Sequence, residues 1–319
     1  PAVFSMSDGE WDHVTSDVVQ VFAAEEIIVA DNWTMSTVNT LHLQTPATVD
    51  SSAGSVAVKQ LVIESAGWLA PGNNQIDVLA YTVTGQFWHT NQGDLRISAV
   101  DGVHTATYTG GTPQRFVVTG SLQIGMPLLT TSNGVSIWQT SGSISQDQPV
   151  VVDALSVLSG DSVDLSLATN DFDLFAVQST GTVRVQDQDD LTLADFNVAG
   201  DFVAADAEWT VGGTLVVDGQ VAVANLLRLS TVGDVVGGAG QFMDAATLNA
   251  EIGGSFGTAA TPLEGSIRSL SVNQSDGFHL LNQGDLTIES LGDAFKSTGD
   301  VGIQGTGALM INGSVSVIG

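Results

Sequence analysis

A short apolar triplet, Leu-x-[Ile/Leu/Val], returns about every 16–22 residues along this chain, and that period limits the folds open to it. The clearest copies are Leu61-Val62-Ile63-Glu64-Ser65-Ala66-Gly67 and Leu286-Thr287-Ile288-Glu289-Ser290-Leu291-Gly292. Leu95-Arg96-Ile97, Leu155-Ser156-Val157, Leu191-Thr192-Leu193, Leu227-Arg228-Leu229 and Leu270-Ser271-Val272 lie between them, with a weaker copy at Leu248-Asn249-Ala250. A fixed short period is the mark of a repeat architecture, in which each unit buries its apolar face only against its neighbours.

One anchor per repeat gives the set Leu41, Leu61, Val78, Leu95, Phe116, Ile137, Leu155, Leu174, Leu191, Trp209, Leu227, Leu248, Leu270, Leu286 and Ile303. Between anchors, short runs alternate apolar and polar residues, as in Phe202-Val203-Ala204, Trp209-Thr210-Val211 and Leu215-Val216-Val217. Alternation at period two marks strands with one buried face. Gly, Asp, Asn and Ser separate the runs, and these residues suit tight corners. Three such strands with corners make one coil of a parallel β-helix. The expected fold is therefore all-β, a parallel β-solenoid of about 15 coils of 16–22 residues. At about 4.8 Å per coil this predicts a rod of roughly 70 Å. A propeller needs about 40–45 residues per blade and stacked sandwiches about 100, so neither matches. The leucine-rich-repeat consensus is absent.

Composition narrows the function classes. Net charge is −28, from 35 acids against seven bases, and 27 of the acids are Asp. Asp favours turns and avoids helix interiors, so the acid excess points to many corners. Nucleic acid and anionic membranes are excluded as partners, because both demand clustered Lys and Arg. No run of 18 apolar residues exists, so no membrane insertion is expected. The absence of Cys removes disulfides and thiolate metal sites. Few Lys, many Asp, and abundant Ser and Thr point to an extracellular or cell-surface setting.

Six of the seven prolines and five of the six tryptophans precede residue 150. This asymmetry divides the chain into a lead-in or cap over 1–40, coils with longer decorated loops over 41–150, and more regular coils over 151–319. The lead-in holds the one helix-like stretch, Ser16 to Ala30, whose Val and Ile content suits strands equally well. The first residue, Pro1, is expected to mark a processed or excised piece. The C-terminal run Met310 to Gly319 reads as strand without a polar cap. Ile311, Val315, Val317 and Ile318 form a candidate assembly surface there, to be covered by more chain or by another subunit.

Chemistry-bearing motifs are sparse. His13, His42, His89, His104 and His279 show no metal-ligand spacing. Gly253-Gly254-Ser255-Phe256-Gly257 matches the Gly-x-Ser-x-Gly string but lacks the helix a nucleophile elbow requires, and reads as a Gly-rich corner. Two acidic clusters, Asp171-Phe172-Asp173 and Asp187-Gln188-Asp189-Asp190, fall about one coil apart. Asp171, Asp173, Asp187, Asp189 and Asp190 are therefore a candidate Ca²⁺ patch, weighed against a solvated corner. Trp68, Trp88 and Trp138 are candidates for a sugar-stacking stripe, weighed against packing. Asn32, Asn273 and Asn312 open Asn-x-Ser/Thr sequons, at a number that chance supplies. No catalytic constellation emerges, and the chain is read as a non-enzyme.

The strand segments Asp171-Phe172-Asp173-Leu174-Phe175-Ala176-Val177 and Gly181-Thr182-Val183-Arg184-Val185, with corners such as Val211-Gly212-Gly213-Thr214-Leu215, resemble the repeats of giant bacterial surface proteins of the filamentous-haemagglutinin-like type. The resemblance covers roughly residues 40–319 and lies in repeat style. It implies a right-handed helix, an extracellular location and a role in adhesion or surface assembly. The expected function is a structural subunit of a cell-surface fibre that self-associates head to tail. The alternatives are an adhesin or carbohydrate-binding module recognising surface glycans, and a β-helix polysaccharide lyase or hydrolase.

Overall fold

The computed structural model describes residues 8–11, 13–130, 134–196, 201–238, 240–289 and 295–318. Apart from one four-residue helix, Asp8–Trp11, its elements are β-strands. They pair in parallel and stack as a β-solenoid of about 14 turns, close to the 15 expected. The chain divides into two compact units, Pro1–Leu155 and Ser156–Gly319.

The parallel register turns sequence alternation into columns of like residues. In the first unit Leu41 stands beside Leu61, Leu61 beside Leu79, and Leu79 beside Ile97. All four are fully buried. In the second unit one column runs Ala207, Leu227, Leu248, Leu270, Ile288 and Ile311. A second runs Leu191, Leu215, Val235, Phe256 and Phe278. Its two phenylalanine rings stack at 4.5 Å and 6°. Each buried aliphatic side chain contributes about 1.5–3 kcal/mol, but only where a neighbouring turn covers it.

The corners carry a pattern finer than the triplet. Asn91-Gln92-Gly93-Asp94-Leu95 recurs as Asn282-Gln283-Gly284-Asp285-Leu286. The Asn turns inward and is fully buried. Its Oδ1 accepts the backbone N–H fifteen residues back, from Ile76 at 2.9 Å or Ile267 at 2.7 Å. The Gly takes a left-handed conformation, with φ +85° at Gly93 and +93° at Gly284, which L side chains resist. The Asp then accepts an amide from the next turn: Ser121 N–H to Asp94 and Ala308 N–H to Asp285, both at 2.8 Å. Asp190 and Asp234 do the same for Thr214 and Ser255. These corner aspartates cap amides that would otherwise lack partners, which accounts for part of the excess of Asp over Glu.

The lead-in joins the stack, and two expectations about the anchors need correction. Strand pairing begins well inside the expected lead-in: Val18–Phe22 pairs with Thr40–Gln44, and Ile27–Ile28 with Thr48–Asp50. Of the two readings open for Ser16 to Ala30 the strands are observed, and Trp11 packs on Trp33 at 5.2 Å. The anchors Val78 and Leu174 are each one residue out of register. Leu79 and Phe175 point inward, while Leu174 is exposed. A one-residue slip exchanges the two faces of a strand. The Leu anchors also belong to different columns, since Leu270 stands beside Ile288 whereas Leu286 stands beside Leu309.

Candidate functional site

The sugar-stacking stripe does not form. Trp68 and Trp138 are fully buried, because their strands place them on the inward face; Trp88 alone of the three reaches the surface. Trp68 Nε1–H donates to His89 Nδ1 at 3.1 Å. Burial holds the His89 imidazole neutral and pushes its pKa down to about 3. Trp138 Nε1–H donates to Ser136 Oγ at 2.7 Å, and that hydroxyl donates to Gln114 Oε1 at 3.0 Å. Gln114 Nε2–H then donates to the Tyr81 hydroxyl. A polar relay therefore crosses the aromatic core formed by Tyr81, Phe87, Tyr108 and Phe116. Trp88 lies beneath Arg115, whose guanidinium sits 5.3 Å from the ring centroid.

The acidic patch is drawn together but divided by side-chain direction. Asp187-Gln188-Asp189-Asp190-Leu191 is a variant of the Asn-Gln-Gly-Asp-Leu corner, with Asp in place of both Asn and Gly. Asp187 accordingly points inward and is buried. It accepts the amides of Phe172 at 2.8 Å and Asp189 at 3.3 Å. Burial pushes its pKa up to about 7, opposed by those two hydrogen bonds and aided by Asp189 and Asp171. Asp189 is also raised, first by desolvation and then by Asp171, Asp190 and Asp173. Asp171 accepts from Gln188 Nε2–H at 2.8 Å, and Asp190 caps Thr214 N–H at 2.6 Å. With Asp187 turned inward and Asp190 engaged, the five expected residues do not converge. Among the described residues no group of three or more His, Asp or Glu is placed to hold a metal ion.

A further cluster has almost no signature in the sequence. His42 in the first unit lies between two carboxylates, with Nε2 2.8 Å from Glu64 Oε1 and Nδ1 2.9 Å from Asp101 Oδ2. The imidazole thus bridges the two carboxylates, one at each ring nitrogen. Gln20 Nε2–H also donates to Asp101 at 3.0 Å. Asp101 is held below the usual carboxylate range by Gln20 and then His42. It sits at the tip of a loop, with φ +46°, followed by Gly102 at +88°. The Asp101-Gly102 dipeptide is the one local signal, since Asp-Gly is favoured where two successive residues take positive φ. Its reach back to His42, 59 residues earlier, has no local cause in the sequence.

The expected assembly surface lies on the last described turn. Ile311, Val315, Val317 and Ile318 are 43–68% exposed. Their column neighbours one turn earlier, Ile288, Phe295 and Ser297, are buried. Ser255 of the Gly-x-Ser-x-Gly string lies in the strand Ser255–Phe256, with its N–H on Asp234, at an ordinary corner. No protein-family model, curated protein or solved structure matches the chain.

Proposed function

We propose that this chain is a structural, non-enzymatic β-solenoid of a cell surface, extended by head-to-tail stacking of copies into a fibre. The observation that carries this reading is the parallel stacking itself, in which strand after strand pairs edge to edge with its counterpart in the next turn. A parallel strand edge is a template for a further strand, and a contact that repeats without closing builds a filament. The fate of polar residues supports a structural role. His89, Asn91, Asn282 and Asp187 are consumed in satisfying the interior of the stack. The extracellular setting rests on the composition, rich in Asp and free of Cys.

Electron microscopy of the purified chain at high concentration, in salt with and without Ca²⁺, tests the proposal. Filaments with an axial repeat of one molecule are expected, together with their loss on Ile311→Asp/Val317→Asp substitution. Dispersed single particles under all conditions rule out self-stacking. A second reading is an adhesin or carbohydrate-binding module. It loses Trp68 and Trp138 to the interior, and a hollow in the second unit offers it a different site.

A further inference from the structure

A groove of about 340 Å³ lies on one outward face of the second unit, across the strands Asp206–Val211, Gln220–Thr231, Phe242–Ile252 and Leu263–Gln274. A neighbouring hollow of about 300 Å³ shares Glu208 and Thr210 with it, so the depression continues along the stack. The register sets its lining. Glu208 stands beside Arg228, and Arg228 beside Asn249. Two residues further along each strand, Thr210 stands beside Ser230 and Ser230 beside Glu251. Side chains two apart share a face, while Trp209, Leu229 and Ala250 between the rows point into the core. Each of these turns thus presents two hydrogen-bonding side chains, and successive turns follow at about 4.8 Å.

Asn249 and Arg228 are among the groups of this groove that lack partners. Asn249 Oδ1 is buried and accepts no hydrogen bond. Arg228 enters no hydrogen bond or ion pair among the described residues, whereas Arg184 on the same face pairs with Glu208 at 3.3 Å and Asp164 at 3.8 Å. An unmet buried acceptor is destabilising, and a donor from outside removes that cost. The lining mixes amide, hydroxyl, carboxylate and guanidinium, and no aromatic face is exposed in it. A matching ligand carries many groups that both donate and accept, which is the chemistry of sugar hydroxyls. With Glu208 paired to Arg184, the groove sets Glu251 against Arg228, and this local balance on a chain of net charge −28 disfavours an anionic polymer. The groove's extension along the stack favours a linear ligand.

We infer that this groove binds a neutral, linear oligosaccharide laid along the stack, with hydroxyl groups on Arg228, Asn249 and Glu251. The inference rests on the carbohydrate-binding reading and gives it a site; it is independent of end-to-end assembly. The test is calorimetric titration of the whole chain with hexasaccharides of neutral β-linked glucose, mannose, xylose and N-acetylglucosamine, beside a hexauronate. At least one neutral probe is expected to bind. Arg228→Ala and Asn249→Ala are each expected to weaken it about tenfold or more, with unchanged circular dichroism. Trp88→Ala, in the other unit, is expected to leave binding intact. Binding unaltered by both groove variants but lost in Trp88→Ala overturns the site and leaves the carbohydrate reading standing. Tighter binding of the hexauronate overturns the neutral class, and silence from every probe overturns the inference and the reading together.

Discussion

Trp68, Trp88 and Trp138 carry the same side chain, and only strand phase separates their fates. Truncating the buried Trp138 to Ala is expected to cost about 3–5 kcal/mol, because the cavity adds to the lost transfer energy. Trp138→Phe keeps most of the volume and removes only the donor to Ser136, so its loss is expected to be smaller. Trp88→Ala stays within about 0.5 kcal/mol, as at other surface positions. Urea denaturation that ranks the three variants in any other order contradicts this placement. Two of the buried titratable groups make a sharper pair. Asp187, raised to about 7, keeps its proton in the fold while the unfolded chain releases it above the ordinary value of 3.8. Stability from the second unit therefore falls as pH rises from about 4 to 7. His89, lowered to about 3, stays neutral in the fold while the unfolded chain takes up a proton below the ordinary 6.5. Stability from the first unit therefore falls as pH drops from 6.5 toward 3. Hydrogen exchange between pH 4.5 and 6.5, corrected for intrinsic rates, is expected to show Gly67–Val83 gaining protection with pH and Asp171–Ser179 losing it. Asp187→Asn restores the residue used at the equivalent corners and is expected to flatten the second slope and raise the Tm at pH 8. A lower Tm for that variant at pH 8 contradicts the assignment.

At the scale of the element, the corner decides whether one turn can hand over to the next. The Asn-Gln-Gly-Asp-Leu corner combines an inward amide, a left-handed Gly and a carboxylate that caps the following turn. Gly284 has open space where a Cβ would stand but φ +93°, so Gly284→Ala carries only backbone strain, about 1–2 kcal/mol. Gly212 is different in kind. A Cβ there would collide with the Gln188 carbonyl oxygen in the neighbouring turn, so Gly212→Ala must push two turns apart. Denaturant midpoints are expected to fall further for Gly212→Ala than for Gly284→Ala, and the reverse order contradicts close approach of backbones as the reason for that glycine. Strand existence and type are legible from alternation. The inward phase of Val78-Leu79 and Leu174-Phe175 is not, because each pair offers two apolar residues and only stacking against the neighbouring turn selects between them.

For the whole molecule, the corner carboxylates carry a consequence in charge. Asp94, Asp190, Asp234 and Asp285 each serve the fold, yet they add to a net −28 with seven bases to offset it. Asp190 and Asp234 stand two turns apart in one column, roughly 9.6 Å, within the Debye length of about 10 Å at 0.1 M salt. Their repulsion is therefore expected to weaken as salt is added. The Tm should rise between low salt and about 0.5 M, beyond the change shown by a near-neutral control protein. A flat or falling Tm means that the corner hydrogen bonds already neutralise the repulsion.

The solenoid itself, its parallel strands and its corner-rich composition follow from the sequence, because burial against neighbours imposes a period on the chain. The same holds for the apolar character of Ile311, Val315, Val317 and Ile318. What the tertiary structure alone decided is which residues face each other across turns. Asp187 became a buried acid because the corner geometry turns its position inward, and Trp68 and Trp138 became core because their strands present that face to the stack. His42, Glu64 and Asp101 met because a loop folds back over earlier turns, and Glu208, Arg228 and Asn249 form a row because parallel register aligns them. Period is a local property of sequence. Register and side-chain direction arise only when one turn packs on another.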